Sequence, residues 1–121
     1  MTNKYYYNGK LVRTSEHIYT HAVLNEKGEV IACRPSFEKA SSVITSEVSR
    51  AKRTINENNK GIEARKAGKN GFWTKVGNTK YFVSFITFDN LTVDEFARQN
   101  ALLEKAIEDY SKYSVVELER K

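Results

Sequence analysis

The stretch KYYYNGKLVR, residues 4–13, decides how the chain begins to fold. Aromatic and β-branched residues stand on both sides of Asn8 and Gly9. These two turn residues tolerate the positive φ angles of a tight hairpin turn. The pattern therefore predicts two antiparallel strands joined at Asn8-Gly9.

The next two segments extend the hairpin into a meander. Residues 17–24 alternate between two faces and predict a strand. His17 and His21 would lie on one face of that strand, about 13 Å apart at about 3.3 Å per residue. Residues 25–28 read as a turn, and residues 29–33 as a short strand.

A first helix is expected after this meander. Ser36 is a good N-cap and Glu38 suits the first turn of a helix. Apolar residues recur at helical spacing over residues 37–55, and the pattern fades beyond them. Residues 62–66 are expected to add a last helical turn, and residues 67–71 to form a flexible basic loop.

A second hairpin and a second helix complete the chain. Residues 72–76 and 79–88 flank Gly77-Asn78, and the longer strand is apolar on both faces. Since a helix covers only one face of a sheet, the other face is expected to meet a partner subunit or a ligand. Thr92 opens a capping box, and residues 111–121 are expected to be a tail or a short terminal strand.

This order of elements, βββ(β)-α-ββ-α, predicts the α+β class: an antiparallel sheet, formed by the meander and the second hairpin, with two helices packed on one face. A chain of 121 residues suits a single domain over residues 1–121. No apolar run approaches the roughly 18 residues of a membrane span, and the N-terminus lacks a hydrophobic signal block. With one cysteine, no internal disulfide can form. We therefore expect a cytoplasmic protein with no membrane partner.

Charge is unevenly distributed along the chain, whose net charge is +5. Residues 37–69 hold eight Lys or Arg and four Glu, whereas residues 92–113 hold three basic and five acidic residues. A basic first helix can attract phosphates, or can meet the acidic helix of a second copy. The alternative is an ordinary solvated helix face.

Residues for catalysis are sparse. The chain has two histidines, one thiol at Cys33 and no Gly-x-Ser-x-Gly elbow. At the predicted spacing, His17 and His21 are too far apart to share a tetrahedral zinc, and no phosphate-binding glycine loop of a standard type occurs. We expect no catalytic residues, no metal, no cofactor and no enzymatic activity.

Two groups of side chains suit a phosphorylated ligand. Arg13 follows the first hairpin beside Thr14 and Ser15, which places a guanidinium next to two hydroxyls; the alternative is a polar loop. Arg53 lies off the apolar stripe of the basic helix.

Other side chains suit a base. Trp73 and Phe82 are aromatic platforms on the second hairpin, although Phe82 also suits a core position. Asn90 offers an amide or serves as a turn residue, and Arg98 lies on the last helix. Together the two groups describe a stackable base with phosphate.

Residues 4–15, continuing through residues 17–23 to residues 30–33, resemble the opening of small phage-encoded proteins that counter the bacterial Thoeris defence. The resemblance is best over the first third of the chain. It implies a sponge that sequesters a cyclic ADP-ribose isomer without cleaving it. It also implies a homodimer with pockets at the subunit interface, and further sites for cyclic oligonucleotides in higher assemblies.

The same resemblance implies three kinds of contact in this sequence. Phe82 and Trp73 would stack on adenine. The pyrophosphate would be held by Arg13, Thr14, Ser15 and Arg53, and the edges of the base or ribose would be read by Asn90 and Arg98.

Three other functions remain open. A nucleic-acid-binding regulator would use the basic helix and residues 65–71 on a duplex backbone. A protein-binding inhibitor would use the apolar strand as its interface. A hydrolase would pair His17 or His21 with a distant carboxylate.

Overall fold

A computed structural model of the chain describes residues 2–121 and has an α+β fold, which confirms the predicted class. Over these residues the elements follow the predicted order. They are β1 (Asn3–Tyr7), β2 (Lys10–Ser15), β3 (His21–Leu24), β4 (Val30–Arg34), α1 (Phe37–Lys66), β5 (Gly71–Val76), β6 (Thr79–Ser84), α2 (Val93–Tyr110), β7 (Ser114–Glu117) and β8 (Glu119–Arg120). The antiparallel strands are divided among three small sheets.

The first sheet has the order β2-β1-β8. Its hairpin turns where the sequence predicts, with φ angles of 51° at Asn8 and 76° at Gly9. Tyr5 is fully buried, and its hydroxyl donates to the carbonyl oxygen of His17 (2.7 Å) and accepts from the backbone N–H of Tyr19 (3.0 Å). This buried hydroxyl fixes the path of the connection that follows β2.

The second sheet has the order β4-β3-β7. Its strand β3 begins only at His21, so the prediction of a strand from residue 17 is wrong. Residues 17–20 form a loop instead, in which the backbone groups of His17 and Tyr19 bond to the Tyr5 hydroxyl. The terminal segment contributes β7, which pairs with β3 opposite Ala22 at Val116.

Helix α1 begins at the predicted N-cap, where the Ser36 hydroxyl accepts from the backbone N–H of Lys39 (3.1 Å). The helix then continues without a break to Lys66, past the point where its apolar pattern fades. Within residues 2–121, no helix combines the length and the apolar character that a bilayer span requires.

The polar stretch of α1 serves as a contact surface for α2. Asn58 is buried, and its side-chain amide N–H donates to the side-chain Oδ1 of Asn100 (2.9 Å). One turn further, Gly61 lies against the ring of Phe96 so closely that a Cβ would approach the ring to 2.5 Å. Small and polar residues therefore mark a close helix contact here and not the end of the helix.

The third sheet is the hairpin β5–β6. Its strand β6 ends at Ser84, so the prediction of a strand to residue 88 is wrong. The backbone N–H of Phe85 bonds to the carbonyl oxygen of Asn70 (2.9 Å), and the Phe85 ring enters a core with Ala64 and Phe96. The strand ends here because residues 85–87 form a turn, in which the backbone N–H of Phe88 bonds back to the carbonyl oxygen of Ser84 (2.8 Å).

The loop after β6 is held by Arg65 of α1. Its guanidinium lies 3.9 Å from the centroid of the Phe85 ring. Its Nε–H donates to the carbonyl oxygen of Leu91 (2.8 Å). Arg65 therefore joins the helix to the segment that precedes α2.

Contacts divide the chain into two compact units. One holds the chain up to Val48 together with Glu108–Lys121, and the other holds Ser49–Ile107. The first unit contains the sheets β2-β1-β8 and β4-β3-β7, and the second contains β5–β6. The single domain expected over residues 1–121 stays a prediction.

Candidate functional site

The aromatic pair of Trp73 and Phe82 is the most exposed feature of the second unit that suits a ligand. The two residues are directly opposite in the β5–β6 register. Their ring centroids are 5.3 Å apart and the planes are inclined at 62°, an edge-to-face contact. Trp73 is 62% exposed and Phe82 is 47% exposed, so Phe82 is not sealed in the core.

Gly71 allows this placement of Phe82. A Cβ at residue 71 would come within 2.7 Å of the Phe82 ring and would collide with the carbonyl oxygen of Val83. Since contacts below 3.0 Å are not tolerated, only glycine leaves room for the ring against the backbone. The start of β5 therefore determines where the Phe82 ring lies.

A concave surface of about 700 Å³, here called the aromatic groove, is bordered by this pair. Its lining residues come from the end of α1, the loop after it and the hairpin: Lys60, Glu63, Ala64, Ala67, Lys69, Asn70, Gly71, Phe72, Trp73 and Phe82. The volume lies in the range of known small-molecule sites.

The lining of the aromatic groove has two ammonium groups, at Lys60 and Lys69, and one carboxylate, at Glu63. Lys60 also bonds to the Glu57 carboxylate (2.9 Å). This hydrogen bond lowers the pKa of Glu57. Partial burial of the carboxylate acts in the opposite direction, and a hydrogen bond from the Thr74 hydroxyl lowers the pKa further. Glu57 is therefore ionised at neutral pH and orients Lys60.

A second recess, of about 480 Å³, also borders Trp73 and is here called the lysine recess. It is lined by Glu57, Lys60, Trp73, Thr74, Lys75 and Lys80. The Thr74 hydroxyl donates a hydrogen bond to the Glu57 carboxylate (2.9 Å). This bond joins strand β5 to helix α1. The lining of this recess is more basic than that of the aromatic groove.

The residues predicted to bind phosphate from the N-terminal hairpin lie in the first unit. Arg13, Thr14 and Ser15 do not follow the hairpin, as predicted, but form the end of its second strand, since β2 continues to Ser15. The Arg13 guanidinium lies 5.1 Å from the centroid of the Tyr19 ring. The Ser15 hydroxyl accepts from the backbone N–H of His17 (3.1 Å). None of the three lines the aromatic groove.

The other three predicted residues lie in the second unit but outside the aromatic groove. Arg53 is exposed on α1. Asn90 is exposed before α2, and its carbonyl oxygen accepts from the backbone N–H of Thr92 (3.0 Å). Arg98 is bound to the carboxylate of Glu95 at 2.6 and 3.0 Å. Of the five predicted residues in the second unit, the structure brings together only Trp73 and Phe82.

Three polar residues of the aromatic groove that suit a nucleotide, Lys60, Lys69 and Asn70, were not among the predicted site residues. Lys69 and Asn70 belong to the basic loop at residues 67–71, which the sequence marks by its glycines and its charge. Lys60 could have been found from Glu57, three residues earlier on the same helix, since such pairs face each other.

Other reactive groups are placed elsewhere. Over residues 2–121, no three or more His, Cys, Asp or Glu side chains come together in a way that could hold a metal ion. Cys33 is buried in β4. The His21 Nδ1 lies 2.7 Å from the Thr20 hydroxyl, and its ring packs edge-on against Phe37. The site thus offers aromatic faces, ammonium groups and an amide.

Comparison of the chain with protein-family models, with curated proteins and with solved structures finds no match.

Proposed function

We propose that this protein is a sponge: it binds a small cyclic nucleotide-type signal, a cyclic ADP-ribose isomer, and holds it without cleaving it. It would act in the cytoplasm of a phage-infected bacterium and withdraw the signal from the Thoeris defence. Two lines support the proposal. One is the resemblance of residues 4–33 to phage proteins of that kind. The other, which carries it, is the aromatic groove with its exposed pair Trp73 and Phe82.

The base of such a ligand would stack on the aromatic pair. Stacking of a base on an aromatic side chain contributes about 1–3 kcal/mol. Trp73 presents most of its indole to solvent, and the Phe82 ring is held in place against Gly71. A surface that is fixed before binding loses little conformational entropy when the ligand arrives.

The phosphates would bind to the basic side of the aromatic groove. Lys60 and Lys69 supply ammonium groups, and Asn70 supplies an amide for a ribose or base edge. Charge-assisted hydrogen bonds to phosphate are about twice as strong as neutral ones. Within a single chain, Lys60 and Lys69 would bind the phosphates that were predicted to contact Arg13 and Arg53. The pyrophosphate contacts of Arg13 and Arg53 stay predictions.

A homodimer is part of the proposal, because the second unit leaves large apolar side chains exposed near the hairpin. Ile86 is 82% exposed, and Val76 and Phe88 are also exposed. Such residues are typical of a surface that a partner covers. A second copy would add the walls that an open groove lacks, and higher assemblies would extend the ligands to cyclic oligonucleotides.

A capture experiment tests the proposal. The pure protein is incubated with cyclic ADP-ribose isomers and other nucleotide signals, freed of unbound ligand by desalting, and denatured by heat. Mass spectrometry then identifies what is released. We expect an intact cyclic ADP-ribose isomer. Release of a cleaved product would instead indicate a hydrolase, and failure to retain any nucleotide together with tight binding of duplex DNA would indicate a regulator.

The same experiment with Lys60→Gln and Lys69→Gln examines the phosphate contacts. Each variant is expected to retain less ligand, because each removes one charged donor from the groove. Lys27→Gln, in the turn between β3 and β4, removes the same charge from a residue that does not line the groove and is expected to retain the ligand fully.

A further inference from the structure

The pairing of β5 with β6 places two kinds of side chain on one face of the hairpin. Trp73 is opposite Phe82, and Lys75 is opposite Lys80. Side chains directly opposite in an antiparallel pair share a face, as do residues two apart along a strand. These four residues therefore form one surface, here called the Trp-Lys face. Thr74, between them, points to the other face, where it bonds to Glu57 of α1.

The two lysines of the Trp-Lys face are a like-charge pair, and the one carboxylate that lines the lysine recess is already bound to other residues. Like charges directly opposite each other destabilise a strand pair. Among the described residues that line the recess, the one carboxylate is Glu57. It is already engaged by Lys60 and Thr74. An anion placed between Lys75 and Lys80 would remove the repulsion.

We propose that the Trp-Lys face binds single-stranded nucleic acid, with a base stacked on Trp73 and a backbone phosphate between Lys75 and Lys80. Two residues along a strand span about 6.6 Å. The separation between the aromatic pair and the lysine pair is therefore close to the length of one nucleotide. Proteins that bind single strands without sequence preference combine a positively charged surface with aromatic side chains on which bases stack. This proposal stands apart from the capture of a cyclic nucleotide.

The exposure of the face favours a single strand over two other ligands. A duplex keeps its bases stacked on one another, so the indole of Trp73 would have no base to receive. A mononucleotide supplies one base and one phosphate to a face on which Trp73 is 62% exposed, and so buries little surface. A single strand also carries neighbouring bases, which the exposed ring of Phe82 beside Trp73 can receive.

Trp73 is the only tryptophan of the chain, which provides a direct readout. Titration of the intact protein with a short oligothymidylate is expected to quench Trp73 fluorescence. The double variant Lys75→Gln/Lys80→Gln is expected to bind roughly 10- to 30-fold more weakly at 0.1 M salt. It should also lower the slope of log affinity against log salt by about 0.7, the contribution of the one phosphate that is no longer neutralised.

A matched control is Lys27→Gln/Lys52→Gln, which removes two positive charges at exposed positions outside the lysine recess. It should keep the affinity and the slope within twofold of the parent protein. A thermal melt adds a second measurement. Because the lysine pair repels itself, Lys75→Gln/Lys80→Gln should be at least as stable as the parent without nucleic acid, while it binds less.

Three results would overturn the proposal: an unchanged fluorescence on titration, equal reductions in affinity for the two double variants, or thymidine monophosphate binding as tightly as the oligothymidylate. The capture of a cyclic nucleotide is measured separately, so either proposal can fail alone. Tighter binding of duplex than of single strand would assign the surface to a regulator instead.

Discussion

The indole of Trp73 stands edge-on to the ring of Phe82, 5.3 Å between centroids, directly across the β5–β6 hairpin. Neither ring belongs to the hydrophobic core of the second unit, which is formed by Ala64, Phe85 and Phe96. The hairpin thus keeps two large aromatic rings that its own folding does not bury. Their exposure is the structural basis for both ligands proposed above.

Replacing Phe82 by alanine should weaken retention of the cyclic nucleotide by about 5- to 150-fold, the equivalent of a stacking contact of about 1–3 kcal/mol. The fold should persist, because Phe82 is about half exposed. Isothermal titration gives the affinity, and a thermal melt tests the fold.

Tyr81→Ala is the matched control. Tyr81 is also about half exposed but lies on the opposite face of β6 and does not line the aromatic groove. This variant should keep the affinity. An unfolded Phe82→Ala, or one that binds like the parent, would show that Phe82 is not a stacking platform.

Replacing Gly71 by alanine should both destabilise the second unit and displace Phe82. The new Cβ would collide with the Val83 carbonyl oxygen and with the Phe82 ring, so strand and ring must both shift. We expect a lower melting temperature, a changed Trp73 emission and weaker ligand retention. Gly28→Ala meets no atom within 4 Å and lies in the first unit; it should cost stability through its φ of 80° but leave Trp73 emission unchanged.

The Glu95 carboxyl should titrate with a pKa of about 2, well below its usual 4.5, because Arg98 and then Gln99 donate hydrogen bonds to it. A pKa lowered by folding means that the contribution of this contact to stability is present above pH 4.5. It disappears as the pH falls from 4.5 to about 2.

Carboxyl-carbon NMR measures this titration, and Arg98→Gln should return the pKa of Glu95 towards 4.5. Arg53→Gln removes an arginine elsewhere and should leave it unchanged. If ligand binding leaves the pKa of Glu95 at about 2, Arg98 keeps its bond to Glu95 and does not read the base. That result would contradict the ligand contact predicted for Arg98.

Ile86→Asp should dissociate the proposed homodimer, because a carboxylate at this largely exposed apolar position would be desolvated in an interface. Sedimentation should show the parent as a dimer and the variant as a monomer, with weaker ligand retention. Ile18→Asp makes the same change at an exposed residue of the first unit and should leave the dimer intact. A parent protein that is monomeric at all concentrations would refute the dimer.

Local signals account for what the sequence predicts correctly. The turn at Asn8-Gly9 requires only two residues that tolerate positive φ, and the start of α1 requires only the Ser36 hydroxyl. Both determinants are contained in a few consecutive residues. The element order, and with it the α+β class, follows from many such local signals.

The two strand boundaries that were wrong have different causes, one distant in sequence and one local. The loop at residues 17–20 depends on the hydroxyl of Tyr5, at least twelve residues away. The end of β6 is set by a local turn, in which the backbone N–H of Phe88 bonds to the carbonyl oxygen of Ser84 (2.8 Å). Alternating hydrophobicity continues through both segments, so periodicity alone extends each strand too far.

The candidate site was predictable in its aromatic half only. Trp73 and Phe82 are paired by a hairpin whose turn, Gly77-Asn78, is visible in the sequence. Lys60 and Lys69 join them because the end of α1 lies beside β5, and no local pattern encodes that placement. Arg13 was predicted to bind the same ligand only because it is an arginine. The type of a residue does not reveal which other residues lie near it in the folded chain.

Cys33 is 1% exposed, and it is the only thiol in the chain, just as Trp73 is the only indole. The thiol lies in the first unit and the indole in the second, so the protein contains one intrinsic reporter for each. The rate at which a thiol reagent labels Cys33 measures opening of the first unit, while emission follows the second. Whether both signals change at the same denaturant concentration reveals whether the two halves melt cooperatively, without any introduced label.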